Sequence, residues 1–175
     1  MSRRTAFVTG AGRGVGRAIA LRFARDGYAV AAAGRSGEYL AQVSEALAAT
    51  GVDVLPILCD VAVREDVTRA VAEAEQQLGP IDVLVNNAGV SESASFATMD
   101  DEMWERMLAV NLSGTYYCMR AVIPGMFACI RSMLLGRWPS FARPASGAAD
   151  AGASPQVAFR PTVNWEGPSY VSRTI

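Results

Sequence analysis

The feature that most restricts what this chain can become is the run Thr9-Gly10-Ala11-Gly12-Arg13-Gly14-Val15-Gly16. It follows a short apolar stretch, Ala6-Phe7-Val8, and opens a segment in which Val15, Ile19 and Phe23 recur every four residues. The order predicts a strand, a glycine turn and a helix whose apolar face carries those three side chains. So tight a turn leaves the first N–H groups of the helix without intrahelical acceptors and aims the positive end of its dipole at whatever lies in front. A pyrophosphate is the natural guest. Glycine suits the place because it reaches φ > 0 without a Cβ penalty and lets a phosphate or a neighbouring strand approach the backbone. The spacing, Gly-x-x-x-Gly-x-Gly with Gly12 extra, departs from the commoner Gly-x-Gly-x-x-Gly, so read alone the cluster is equally a plain turn.

The segments that follow repeat one theme. Tyr28 to Ala33 is apolar without alternation, as expected of a strand covered on both faces. Gly34-Arg35-Ser36-Gly37 closes it, and Leu40, Val43 and Leu47 mark an amphipathic helix stopped near Gly51. A third strand is expected over Val52 to Leu58, leaving through Cys59-Asp60-Val61, and a third helix over Val67, Ala70, Val71, Ala74 and Leu78. Gly79-Pro80 breaks it, and Ile81 to Val85 is the fourth strand, running into Asn86-Asn87-Ala88-Gly89. Strand and helix alternate over short connections, which implies an α/β fold with a doubly wound parallel sheet. Ligands bind such sheets beyond the carboxyl ends of the strands, so the glycine turn, Arg35, Asp60 and the Asn-Asn-Ala-Gly stretch should line one crevice. From Asp100 a long apolar helix is expected to carry Asn111 and reach about Met126, with Asp100, Asp101 and Glu102 at its N-terminus.

Bulk composition narrows the class. The 175 residues fit one domain with a substantial core, and a hydrophobic share of 51% argues against disorder through most of the length. Net charge is −1, all 16 Lys+Arg positions are arginine, and histidine is absent. Nothing in this balance points to nucleic acid or an anionic membrane as a partner. The apolar run behind Met1-Ser2-Arg3-Arg4 is too short for a signal-peptide core, and no stretch approaches membrane-spanning length, so a cytoplasmic location is expected. Cys59, Cys118 and Cys129 lack close metal-ligand spacing and are expected as buried free thiols, with no metal site.

Thr9-Gly10-x-x-x-Gly14-x-Gly16, Asp60-Val61, Asn86-Asn87-Ala88-Gly89 and Asn111, in this order and at these separations, resemble the first two thirds of a short-chain dehydrogenase/reductase. The likeness covers residues 5 to about 126 and includes Gly79 to Val85. It implies a Rossmann-like domain over residues 1–126 that binds a nicotinamide dinucleotide. Gly10, Gly14 and Gly16, with Gly12, Arg13 and Val15 between them, would form the phosphate turn. Asp60 would meet the adenine through its carboxylate and Val61 through its backbone. Asn87, Ala88 and Gly89 would lie along the ribose. Asn111 would be the catalytic-site asparagine that holds a water in the proton relay; read from the residues alone, the lesser alternative is that it bonds backbone nearby.

Charge selects between the two nicotinamide cofactors. A free ribose 2′-OH is usually held by a carboxylate at the end of the second strand, whereas a 2′-phosphate is repelled there and needs arginine. This chain places Gly34-Arg35-Ser36 at that point, and Arg13 can reach toward it. Two guanidiniums offer a phosphate bidentate, charge-assisted hydrogen bonds, so NADP(H) is expected over NAD(H). The bland alternative makes Arg13 and Arg35 solvated surface charges.

The likeness stops after residue 126. The family's chemistry, ketone reduction or secondary alcohol oxidation of the 3-oxoacyl-reductase kind, needs a Tyr with a Lys four residues on, because a free phenol near pKa ~10 is a poor base at pH 7. The chain contains no lysine. Ser140 stands near the expected serine position, and Tyr170 has Arg173 rather than Lys behind it. Residues 127–175, rich in Pro, Ala and Arg, are expected as an irregular or disordered tail, with Ser132 to Leu135 the start of a fifth strand and Ala145 to Ser154 a linker. The expectation is thus a sheet truncated after the Asn111 helix and a chain inactive as it stands. Two alternatives accompany it: a non-catalytic NADP(H)-binding module, or a fragment whose C-terminal part is an out-of-frame reading of a G/C-rich gene. The family's small-molecule carbonyl or alcohol substrate and its habit of forming homo-oligomers would carry over to an active form.

Overall fold

A computed structural model describes residues 4–134. Four strands, β1 (Thr5–Thr9), β2 (Ala29–Gly34), β3 (Val54–Leu58) and β4 (Ile81–Val85), form one parallel sheet in the order β3-β2-β1-β4. Between them run α1 (Gly14–Arg25), α2 (Gly37–Ala48) and α3 (Arg64–Leu78). The expected α/β alternation and parallel sheet are present, with β3 starting two residues later than expected.

The central strands β1 and β2 are buried on both faces, which explains why they show no polar alternation. Val8, Val30 and Ala32 face α1 and α2, joined there by Ala20, Ala24, Leu40, Val43 and Leu47. Phe7, Ala31, Ala33 and Ile57 face the other way, against Val67, Ala70, Val71 and Ala74 of α3 and Val110, Cys118 and Val122 beyond β4. The alanines of β2 let helices on both sides sit close to the sheet. Two helix starts are capped by side chains: Ser36 Oγ accepts from Tyr39 N–H at 3.4 Å, and Asp100 Oδ1 accepts from Met103 N–H at 2.6 Å.

The apolar face of α1 differs from expectation. Its buried residues are Gly16, Ala20 and Ala24, while Val15 is 69% exposed and Ile19 and Phe23 pack at the margin. The turn sets this rotation: Gly16 must lie against the Gly10 carbonyl, which brings every fourth residue from Gly16 inward and swings Val15 out.

The helix after Asp100 also differs. It begins as α4 (Asp101–Leu108), passes through one π-helical turn (Ala109–Ser113), and continues as α5 (Gly114–Leu134). It therefore runs past residue 126, and Ser132, Met133 and Leu134 are helical rather than the start of a fifth strand. Pro124 does not stop it, since its position is exposed and the carbonyl it leaves unbonded can turn to water. Trp104, Leu108, Leu112, Tyr116, Met119, Ile123 and Phe127 recur along this helix at spacings of three and four and remain exposed. Ser140, Tyr170, Arg173 and the expected irregular tail from residue 135 onward lie outside the described residues. No helix among the described residues is long and apolar enough to cross a membrane.

The burial pattern sets a contrast in stability. Leu47→Ala, which empties a fully buried position, is expected to cost about 2–5 kcal/mol in urea unfolding. Val15→Ala should stay within about 0.5 kcal/mol of the parent, and a cost like that of Leu47→Ala would contradict the rotation of α1.

Candidate dinucleotide site

The crevice lies at the carboxyl ends of β1, β2 and β4. Its volume is about 390 Å³, and its walls include Gly10, Gly12, Arg13, Gly14, Val15, Gly16, Arg35, Ser36, Asp60, Val61, Asn87, Ala88 and Gly89. The turn glycines, Arg35, Asp60, Asn87, Ala88 and Gly89 meet there as expected, whereas Asn86 is not among the walls. Asn111 is not among the walls but adjoins them, bonded to Val90 and next to Val110, both of which line the crevice.

One side chain joins the strand ends that form the floor. Thr9 is buried, and its hydroxyl donates to Val85 O at 3.1 Å while accepting from the N–H groups of Asn87 and Ala88, each at 3.0 Å. Asn87 returns the tie: its Nδ2 donates to Thr9 O at 3.0 Å and to Gly10 O at 3.4 Å. Parallel strands that end side by side leave such groups unpaired, and these two side chains satisfy them where the ladder stops. The glycine turn is fitted to the same junction. Gly10 has φ 64°, and a Cβ there would lie 2.9 Å from Asn87 Nδ2. A Cβ on Gly16 would fall on the Gly10 carbonyl and on Asn87 Nδ2, so only glycine lets α1 begin this close to β1.

The far wall is a loop held by carboxylates. Asp60 Oδ1 accepts from Ala62 N–H at 3.0 Å, and Asp60 N–H donates to Asp66 Oδ2 at 3.1 Å. The Asp60 N–H, with Arg69 beside it, holds the Asp66 carboxyl below its ordinary value. The depressed value means the Asp66 contribution is present above the unfolded-state pKa and fades as pH falls through the folded one. Cys59 lines the crevice at the end of β3, and burial pushes its thiol up to about 12; Cys118 in α5 is pushed up to about 11. Both are buried and free, and at neutral pH they act as small apolar groups rather than nucleophiles.

Asn111 lies inside the π-helical turn, and its amide pairs with backbone far away in sequence. Its Oδ1 accepts from Val90 N–H and its Nδ2 donates to Val90 O, both at 2.9 Å. Its own carbonyl accepts the Thr115 hydroxyl at 3.1 Å. The side chain therefore staples the chain just after Gly89 to the helix. Two residues on, Glu92 pairs with Arg106, Arg106 Nε donating to Oε1 at 2.8 Å. A π-turn inserted in a helix is common where a functional group must be aimed, and here it turns Asn111 toward Val90.

The two cations face the crevice from different elements. Arg13 projects from the glycine turn with its guanidinium 5.8 Å from the centre of the Tyr39 ring, and Arg35 follows β2 directly. Tyr39, Cys59, Val90 and the Thr9 hydroxyl are the participants that reading the sequence left unassigned. For Thr9 a signal existed, a hydroxyl residue immediately before the first turn glycine.

The profile of the family described as short chain dehydrogenase matches residues 4–132. This chain belongs to that family. Among relatives, the short-chain reductase protein NovJ of Streptomyces niveus is 45% identical over 117 residues, 67% of this chain and 45% of that protein. The 3-oxoacyl-acyl-carrier-protein reductase FabG of Staphylococcus epidermidis is 39% identical over 125 residues, 70% of this chain and 51% of that one. Among solved structures, an L-sorbose reductase from Gluconobacter frateurii, complexed with NADPH and L-sorbose, superposes with a TM-score of 0.69 at 32% identity, covering 73% of this chain and 49% of that one. An alcohol dehydrogenase from the archaeon Thermococcus sibiricus, complexed with 5-hydroxy-NADP, gives 0.69 at 34%, covering 71% and 53%. The chain spans about half the length of the relatives it matches.

The strand junction can be probed at Thr9. Thr9→Val keeps the shape but leaves the Ala88 N–H without its acceptor, while the Asn87 N–H and the Val85 carbonyl keep each other at 3.1 Å, with an expected loss of about 1–3 kcal/mol in chemical unfolding. Thr9→Ser keeps the hydroxyl and should recover most of it; equal losses would assign the effect to packing instead.

Proposed function

We propose that residues 4–134 form the cofactor-holding part of an NADP(H)-dependent short-chain oxidoreductase, of the class that reduces ketones or oxidises secondary alcohols. The observation that carries the reading is the pair Arg13 and Arg35 on one crevice, with Gly34-Arg35-Ser36 and no carboxylate where β2 ends. A 2′-phosphate there meets two guanidiniums, and the glycine turn offers its backbone N–H groups to the pyrophosphate. Gly14 lines the crevice and a Cβ added there would meet nothing within 4 Å, so that side of the turn is open to a phosphate. When bound, the nicotinamide supplies the hydride exchange. The chain's own part is to hold the dinucleotide and, through Asn111, to fix the segment after Gly89 at the edge of the crevice. The NADPH and NADP-type ligands named for the two solved relatives support the phosphorylated cofactor, and the 3-oxoacyl reductase and alcohol dehydrogenase relatives support the reaction class.

Fluorescence titration of the purified chain tests the cofactor. NADPH should bind more tightly than NADH, and Arg35→Ala should weaken NADPH by about tenfold or more, the worth of one charge-assisted phosphate contact, while leaving NADH unchanged. An unchanged NADPH affinity would return Arg35 to the solvated surface.

The same reading extends to turnover. The 175 residues hold no lysine to lower the pKa of a catalytic tyrosine. This chain by itself therefore takes up NADP(H) without using it, a binding module of an oxidoreductase family. NADPH consumption over a panel of ketones is expected to stay at background, and steady turnover would overturn this part of the proposal.

A further inference from the structure

Two walls of the crevice rest on one short piece of helix. Asn111 holds Val90 on one side, and three residues later Gly114 abuts Val61 on the other. A methyl group placed on Gly114 would lie 2.8 Å from Val61 Cγ2, 3.0 Å from Val61 Cβ and 3.1 Å from Val61 O. Carbon atoms settle at about 3.5–4.0 Å, so the helix and the loop meet more closely here than any residue with a side chain permits.

Gly114 has φ −61° and ψ −44°, ordinary helical values that alanine adopts more readily than glycine. Backbone freedom therefore does not account for glycine at this position. What it supplies is room.

Val61 has little freedom to withdraw. It is 7% exposed and packs in the same apolar cluster as Val110. Its flanks are fixed by Asp60 N–H on Asp66, by Ala62 N–H on Asp60 and by Val63 N–H donating to Asp60 O at 3.0 Å. Because Val61 is also a wall of the crevice, a push from the helix side moves it or its flanking loop into the space of the ligand.

We propose that Gly114 is a positioning residue for the dinucleotide: by carrying no side chain it lets the helix behind the crevice set the Asp60-Val61 loop at the depth that the adenosine end requires. The proposal rests on the NADP(H) reading above. It acts through Val61 and makes no contact with the ligand itself.

The test compares the full chain with Gly114→Ala, Val61→Ala and the double variant, titrated with NADPH and with 2′,5′-ADP, which carries the adenosine end alone. Gly114→Ala is expected to bind both ligands about tenfold more weakly, the scale set by an overpacked contact of this kind. Its melting temperature is expected to fall by a few degrees, with the chain still folded at the titration temperature, so that the weaker binding belongs to the folded state. The loss should be as full for 2′,5′-ADP as for NADPH. Removing Cγ2 relieves the closest of the three contacts, so the double variant should bind better than the product of the two single effects predicts. Weaker binding by a chain that circular dichroism shows to be folded is the readout a purely structural role would not move, and the coupling locates the loss at Val61. If Gly114→Ala fails to fold, the double variant should fold yet bind both ligands more weakly than Val61→Ala, because Val61 Cβ and O remain in contact. A parent chain that binds neither ligand would overturn the cofactor reading and this inference with it. Binding by the parent and equally by Gly114→Ala, or strict additivity in the double variant, would overturn this inference alone.

Discussion

Everything at the ligand end of the molecule depends on how β1 and β4 are tied where their ladder stops. Parallel strands that end together leave N–H and C=O groups facing a cleft that must stay open, so pairing them with more strand is not available. The Thr9 hydroxyl and the Asn87 amide satisfy those groups from within, with five hydrogen bonds between 3.0 and 3.4 Å. The floor of the crevice is thereby fixed without being filled. Because Asn87 Nδ2 also lies where a Cβ of Gly16 would go, the same junction dictates the approach of α1 and with it the direction of the helix dipole.

The walls follow a different economy from the floor. Neither the Asp60 loop nor the segment after Gly89 belongs to a strand, yet each is held by side chains that replace ladder hydrogen bonds. Asp60 and Asp66 organise the first, and Asn111 and the Glu92–Arg106 pair organise the second. Exposed ion pairs of the Glu92–Arg106 kind contribute modestly to stability, so its role is better understood as orientation. The buried, neutral thiols of Cys59 and Cys118 belong to the same pattern, filling apolar space beneath the crevice.

Much of this was legible in the residues. The alternation of short apolar runs with helical stripes gave the parallel sheet, since a strand such as Ala29–Gly34 with no polar face must be covered on both sides. That fold brings the glycine turn, Arg35, Asp60 and Asn87 to one end, and they meet in one crevice. Three features were not legible. The inward face of α1 is set by contact of Gly16 with Gly10 rather than by the larger residues Val15, Ile19 and Phe23. The helix from Asp101 continues through Pro124 to Leu134, beyond the point where composition suggested it would yield to an irregular tail. The partner of Asn111 is Val90, 21 residues earlier.

The sequence by itself determined the order of elements, the identity of the turn and the set of polar residues at the strand ends, because periodicity and glycine placement are local properties that each segment carries with it. Tertiary structure alone decided which way α1 faces, what Asn111 holds and how closely Gly114 meets Val61. The last two are distances between atoms of segments far apart in the chain, and the first is fixed where Gly16 meets Gly10 and the Asn87 side chain that the sheet brings alongside, so no local pattern encodes them in full.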